Sequence, residues 1–182
     1  IPQEIAAAWT VDLKGRLTSP VIAAGNVYVA RIDSHSLHAL DEQTGEQKWQ
    51  FTAGARIDSP PTVKAGRVVF GATDGWVYCL RASDGQLIWR YRAAPLDRRT
   101  MAYEQLESLW PVHGSVLIHE NQVFCVAGRS NFLDGGLRLL RLNLDSGEKL
   151  SETIMDETNP ETGNNIQEKL EILQMPVGLP DI

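Results

Sequence analysis

Apolar residues in the first half of the chain fall into short alternating runs, and turn-forming residues interrupt them at nearly even intervals. From Ser19 the runs are SPVIAA, NVYVAR, SLHAL and QKWQF, broken at Gly25-Asn26, Asp33-Ser34 and Thr44-Gly45. A second series, SPPTVKA, RVVFG, WVYCL and LIWRY, is broken at Gly66, Asp74-Gly75 and Asp84-Gly85. Runs this short, rich in β-branched and aromatic residues and bounded by Gly, Asn and Asp, predict strands. Trp9, Trp49 and Trp89 stand 40 residues apart, and Leu40/Leu80, Gly45/Gly85 and Ser19-Pro20/Ser59-Pro60 keep the same interval. A fixed period of that length means stacked supersecondary units.

Four strands per unit at this period match the blade of a β-propeller. A continuous β-sandwich is the alternative, but sandwiches do not repeat at every fourth strand. A third unit runs through SVLI, NQVFCVAG and LRLLRLN to the turn Asp145-Ser146-Gly147. It is stretched by two insertions, Arg92–Pro111 and Arg129–Gly136, and Ser151 replaces its tryptophan. The expected division is 1–13 as the outer strand of a blade shared with sequence elsewhere, 14–51 and 52–91 as blades, 92–155 as a blade with insertions, and 156–182 as a linker and the start of the next blade. Within that last part NIQEKLEIL reads as a short helix or strand and MPVGLPDI as a blade entry. Propellers typically close with about 4–8 blades. The expectation is therefore an all-β chain, a β-propeller of four-stranded antiparallel blades, about three blades plus partial ones, forming a fragment of a larger ring. Open blade faces and sheet edges would favour self-association of the isolated chain.

Composition changes this picture little. Hydrophobic residues at 43% and charged residues at 22% suit a globular protein. A net charge of -6 argues against a nucleic-acid or anionic-membrane partner. No apolar run has the length of a membrane span. Cys79 and Cys125 sit in the strand-like runs VYCL and VFCV and read as buried free thiols, with a disulfide as the alternative. CxxC, CxxCH and HExxH are absent, so neither a metal nor a catalytic residue is expected.

The run Ala39, Asp41, Thr44, Gly45, Trp49 has the form A-x-D-x-x-T-G-x-x-x-W. It resembles the tryptophan-docking repeat of the pyrroloquinoline quinone (PQQ) quinoproteins and their non-enzymatic PQQ-like relatives. The second copy keeps Gly85 and Trp89, with Cys79, Arg81 and Asp84 at the other motif positions; the third keeps Gly147. Asp41 and Thr44 are suited to fix a tight turn that Gly45 completes, and Trp49 to fill the gap between blades. The resemblance implies one of three functions. One is a non-catalytic binding platform of the bacterial envelope or periplasm, as in the outer-membrane assembly (BamB-like) propellers. Another is part of a quinoprotein dehydrogenase, and the third a carbohydrate- or polymer-binding propeller. Family dehydrogenases use adjacent cysteines, a tryptophan on the quinone, calcium ligands and an aspartate. That set is not visible here, so no cofactor is expected.

Strand parity puts second-to-third-strand loops and blade-to-blade links on one face of the disc. Both insertions fall there, and elaborated loops on a rigid scaffold are where binding resides. The segment RRTMAYEQLESLWPVH nominates Asp97, Arg98, Arg99, Tyr103, Glu104, Trp110 and His113 as candidates for a protein or a polar, anionic small-molecule partner. A structural alternative stays open, in which Tyr103, Leu106 and Trp110 pin the loop from one face of a short helix, with His113 a hydrogen-bonded structural residue.

Overall fold

Local turn chemistry builds the strands. Asp41 Oδ1 accepts hydrogen bonds from the Gln43 and Thr44 amides at 2.8 and 2.9 Å, and Gly45 (φ 74°) returns its own N–H to the Asp41 carbonyl. Asn143 plays the Asp41 part in the third unit, accepting from the Asp145 and Ser146 amides before Gly147. In the computed structural model, which describes residues 7–159 and 161–164, these turns join three sheets of four antiparallel strands in sequential order. The first blade is β1 (Val21–Ala23), β2 (Asn26–Arg31), β3 (Ser36–Asp41) and β4 (Gln47–Thr52). The second is β5 (Thr62–Lys64), β6 (Arg67–Gly71), β7 (Trp76–Arg81) and β8 (Leu87–Arg92). A two-stranded hairpin follows, β9 (Arg99–Ala102) and β10 (Gln105–Ser108). The third blade is β11 (Leu117–His119), β12 (Gln122–Ala127), β13 (Leu137–Asn143) and β14 (Lys149–Met155). In each blade the register of the last two strands shifts at the same place, after Ala39, Cys79 and Arg141. The fold is thus all-β, built of propeller blades. The readings of NIQEKLEIL and MPVGLPDI lie outside the described residues. Residues 7–13 form no strand, but Trp9 is anchored all the same.

Each tryptophan docks on the next blade's turn. Trp49 Nε1 donates to the Ala82 carbonyl at 3.0 Å, and a Cβ placed on Gly85 would lie 2.6 Å from its ring. Trp89 repeats this on Leu144 and Gly147, and Trp9 on Glu42 and Gly45. The motif therefore serves two interfaces: its glycine receives the preceding tryptophan, and its own tryptophan goes forward. Behind these contacts lie two apolar cores. Tyr28, Leu37, Trp49, Val68, Phe70 and Leu80 fill the space between first and second blades. Val69, Val77, Trp89, Val123, Leu140 and Leu142 fill that between second and third.

Cys79 and Cys125 are free, buried thiols in the second of these cores. Burial pushes each pKa up to about 12, which leaves little thiolate near neutral pH. Iodoacetamide is expected to leave the native protein unlabelled and to modify both cysteines once denaturant is added. Fast labelling of the native protein, read by mass spectrometry, would contradict this burial.

The first insertion corrects an expectation. A short helix carrying Tyr103, Leu106 and Trp110 on one face does not form; the segment is a β-hairpin. Tyr103 (φ 49°) and Glu104 (φ 61°) are both left-handed, the geometry of a two-residue primed turn. Alternation along the hairpin sends Gln105 and Glu107 towards the propeller and leaves Met101 and Leu106 paired outside. The 3- and 4-residue spacing of the apolar residues suited a helix, but the buried Arg56 partner of Glu107 and the His35 contact of Gln105 favour the strand period of two.

Candidate functional site

The link between second and third blades lies across the second-to-third-strand loops, as parity requires. The Ala93 and Ala94 amides donate to the Gly75 carbonyl, the Ser108 amide to Thr73 at 2.7 Å, and the Val112 amide to Ala72 at 3.1 Å. Trp110, buried, donates from Nε1 to the Asp134 carbonyl at 2.8 Å and so ties in the second insertion. At the other end of the hairpin Gln105 Oε1 meets His35 Nε2 at 2.8 Å, on the first blade's loop.

Beneath the hairpin is a buried ionic cluster. Arg56, on the link between first and second blades, has its side chain 2% exposed. It donates from Nη2 to Glu107 Oε2 at 2.8 Å, from Nε to Asp58 Oδ1 at 3.2 Å and from Nη1 to the Ala102 carbonyl at 3.2 Å. Its guanidinium carbon stands 5.1 Å from the Tyr103 ring centroid. His113 Nδ1 lies 3.0 Å from Asp58 Oδ2. Burial alone would raise the Asp58 carboxyl, but the hydrogen bonds from His113 and Arg56 outweigh it and hold the pKa below the ordinary value. A buried ion pair is kept only where further hydrogen bonds complete it, and here they do.

The candidates from the sequence separate into three places. Trp110 and His113 are anchors under the hairpin. Tyr103 and Glu104 form its exposed tip, with Tyr103 78% exposed. Asp97, Arg98 and Arg99 lie at its exposed base, where Asp97 Oδ1 accepts from Arg99 Nε at 3.1 Å and the Arg98 carbonyl accepts from Leu109. Asp97 is paired with Arg99, and His113 with Asp58. Arg99 also faces a cleft of about 370 Å³ between first and second blades, with Phe51, Gly54, Asp74, Trp76, Tyr78 and Arg90. Asp74 Oδ1 accepts from the Trp76 amide at 3.0 Å and Oδ2 from the Tyr78 hydroxyl. Burial pushes the Asp74 carboxyl above its ordinary pKa, and those hydrogen bonds limit the rise.

Arg56, Asp58, Asp74 and Arg90 were absent from the candidates read in sequence. One signal for Arg56 exists: Arg16 lies one repeat period before it, and Arg16 likewise forks onto a carboxylate, that of Asp33. Among the described residues no three His, Cys, Asp or Glu side chains gather in a way that would hold a metal ion. Cys79 and Cys125 do not form an adjacent pair: they are buried in different blades, on β7 and β12. Among the described residues no helix is long and apolar enough to cross a membrane.

Comparison with known proteins agrees with this architecture. The sequence model of the family described as "Outer membrane protein assembly factor BamB" matches residues 6–168. The protein of that name from Moranella endobia is 26% identical over 165 residues, covering 87% of this chain and 40% of the relative. That from Vibrio cholerae is 27% identical over 143 residues, covering 76% and 34%. The chain thus spans well under half the length of these curated relatives. Among solved structures, BamB from Moraxella catarrhalis superposes with a TM-score of 0.53 at 19% identity, covering 84% of this chain and 54% of that one. A europium-containing methanol dehydrogenase superposes with a TM-score of 0.63 at 15% identity, covering 82% and 27%. At these identities the structural likeness is one of fold.

Proposed function

The chain belongs to the family of the outer membrane protein assembly factor BamB, and from that premise we propose that it is part of a non-catalytic propeller that docks proteins during outer-membrane assembly in the cell envelope. One observation carries the reading. The hairpin β9–β10 is held rigidly by buried Glu107 and neighbouring Trp110, yet presents Met101 (67% exposed), Tyr103 (78%) and Leu106 (50%) outward. A stiff β-hairpin bearing an aromatic residue and two large apolar side chains suits a protein surface, because little conformational entropy is lost on docking. Glu104, Asp97, Arg98 and Arg99 supply a polar rim of mixed charge, the usual surround of such a patch. Trp110 and His113 act from behind by holding the hairpin in place.

The test uses the full-length protein carrying Met101→Thr and Leu106→Thr, which remove the apolar groups without opposing two carboxylates across the hairpin. Both side chains are exposed, so the melting temperature is expected to hold. Affinity for the protein partner is expected to fall by about tenfold or more, as loss of a central apolar contact implies. Outer-membrane β-barrel levels in a strain that depends on this protein should fall with it. Unchanged partner affinity and unchanged β-barrel levels would remove the hairpin as the docking element.

A further inference from the structure

The cleft between first and second blades has a chemistry of which the docking reading uses only Arg99. Its floor is aromatic: the Phe51 and Tyr78 centroids are 5.7 Å apart, and Tyr78 stacks on Phe70 at 5.3 Å and 11°. One wall is the Trp76 indole, with the Arg90 guanidinium carbon 4.5 Å from its centroid. The opposite lip is Arg99, brought in by β9. Among the described residues Arg90 has no carboxylate partner, and Arg99 spends only its Nε, on Asp97. Two guanidinium forks therefore border the cleft with unused N–H donors. The acid within it, Asp74, has both oxygens engaged by Trp76 and Tyr78, and Tyr78 in turn accepts from the Gly54 amide at 3.3 Å. Gly54 has to be glycine, since a Cβ there would collide with Asp74 Oδ2. This wall is built and fixed, not left over from loose packing.

We propose that this cleft binds a small aromatic carboxylate, its ring against the partly exposed Phe51 and its carboxylate between Arg90 and Arg99. The volume of about 370 Å³ falls in the range of small-ligand sites. Guanidinium and carboxylate are matched planar groups that hydrogen-bond in pairs. The charge of -6 on the chain and the carboxyl of Asp74 nearby favour a monoanion over a phosphate dianion.

Phenylacetate is the probe, read through the Trp76 indole N–H resonance, with phenylacetamide and acetate as partners that lack the charge and the ring. Phenylacetate is expected to shift that resonance saturably, and each partner to bind about tenfold more weakly or worse, the loss expected for one charge-assisted hydrogen bond or one buried ring. Arg90→Gln and Arg99→Gln should each weaken phenylacetate by about tenfold, with folding checked by the dispersion of the other indole signals. Arg81→Gln, at the far end of β7 and outside the cleft, should leave affinity unchanged. Equal shifts from all three compounds, or full affinity in both glutamine variants, would overturn the site. Arg99 serves both the cleft and the hairpin's rim, but Met101→Thr with Leu106→Thr adds no charge beside it and should bind phenylacetate as before.

Discussion

Trp49→Ala is expected to destabilise the protein by about 3–5 kcal/mol, the range for removing a buried large aromatic side chain. The indole is 8% exposed, meets Tyr28 at a centroid distance of 5.8 Å and covers Gly85 of the next blade. Its loss opens a cavity between blades and leaves the Ala82 carbonyl only the long 3.5 Å hydrogen bond from the Tyr28 hydroxyl in place of Nε1. Trp49→Phe separates the two contributions: it keeps most of the apolar area and loses the hydrogen bond, so about 1–3 kcal/mol is expected. The same contact approached from the other side gives an independent check. Gly85 has φ 71° and lies under the ring, so Gly85→Ala adds both backbone strain and a clash, and should also destabilise. Urea unfolding of the three variants measures all of this. A Trp49→Ala protein with an unchanged midpoint would refute the interblade role.

Arg56→Met is expected to destabilise by about 3–5 kcal/mol, because the partner charge is left buried without compensation. Glu107, also 2% exposed, would keep its carboxylate under the hairpin with no cation, and Asp58 would lose one of its two side-chain partners. The double variant Arg56→Met with Glu107→Leu should recover most of that loss, since replacing a whole buried pair by apolar groups is often close to neutral. The hairpin also loses the Arg56 bond to the Ala102 carbonyl, so partner docking through Met101 and Leu106 should weaken in the single variant. A double-mutant cycle read by denaturant unfolding decides the matter. Additive losses in the cycle would mean that Arg56 and Glu107 act separately and that the hairpin is held by Trp110 and Ser108 instead.

Much of the architecture was legible because it is written locally. Gly25, Gly45, Gly66 and Gly85 occupy left-handed turn positions that few other residues tolerate, and the alternating runs between them leave each strand one length and one facing. The 40-residue recurrence of tryptophan and glycine then announces a contact that repeats, since a side chain that docks forward needs a bare backbone to receive it. Asn143 was harder to read, but it makes the Asp41 contacts with the same side-chain oxygen.

The insertion shows where local reading stops. Tyr103, Leu106 and Trp110 have a spacing that suits a helix, yet the segment became a hairpin because Arg56, 51 residues away in sequence, supplies the partner that Glu107 needs when buried. No window of sequence contains both. The cleft is similar: Phe51, Asp74, Arg90 and Arg99 are scattered among two blades and a link, and only blade stacking brings them together. The sequence alone therefore determined the blade strands, their turns, the repeat and the interblade role of its tryptophan, all of which depend on contacts within a repeat or one period apart. Tertiary structure alone decided the hairpin, its ionic anchor and the contents of the cleft, because burial of a charge is settled by whichever distant group can neutralise it.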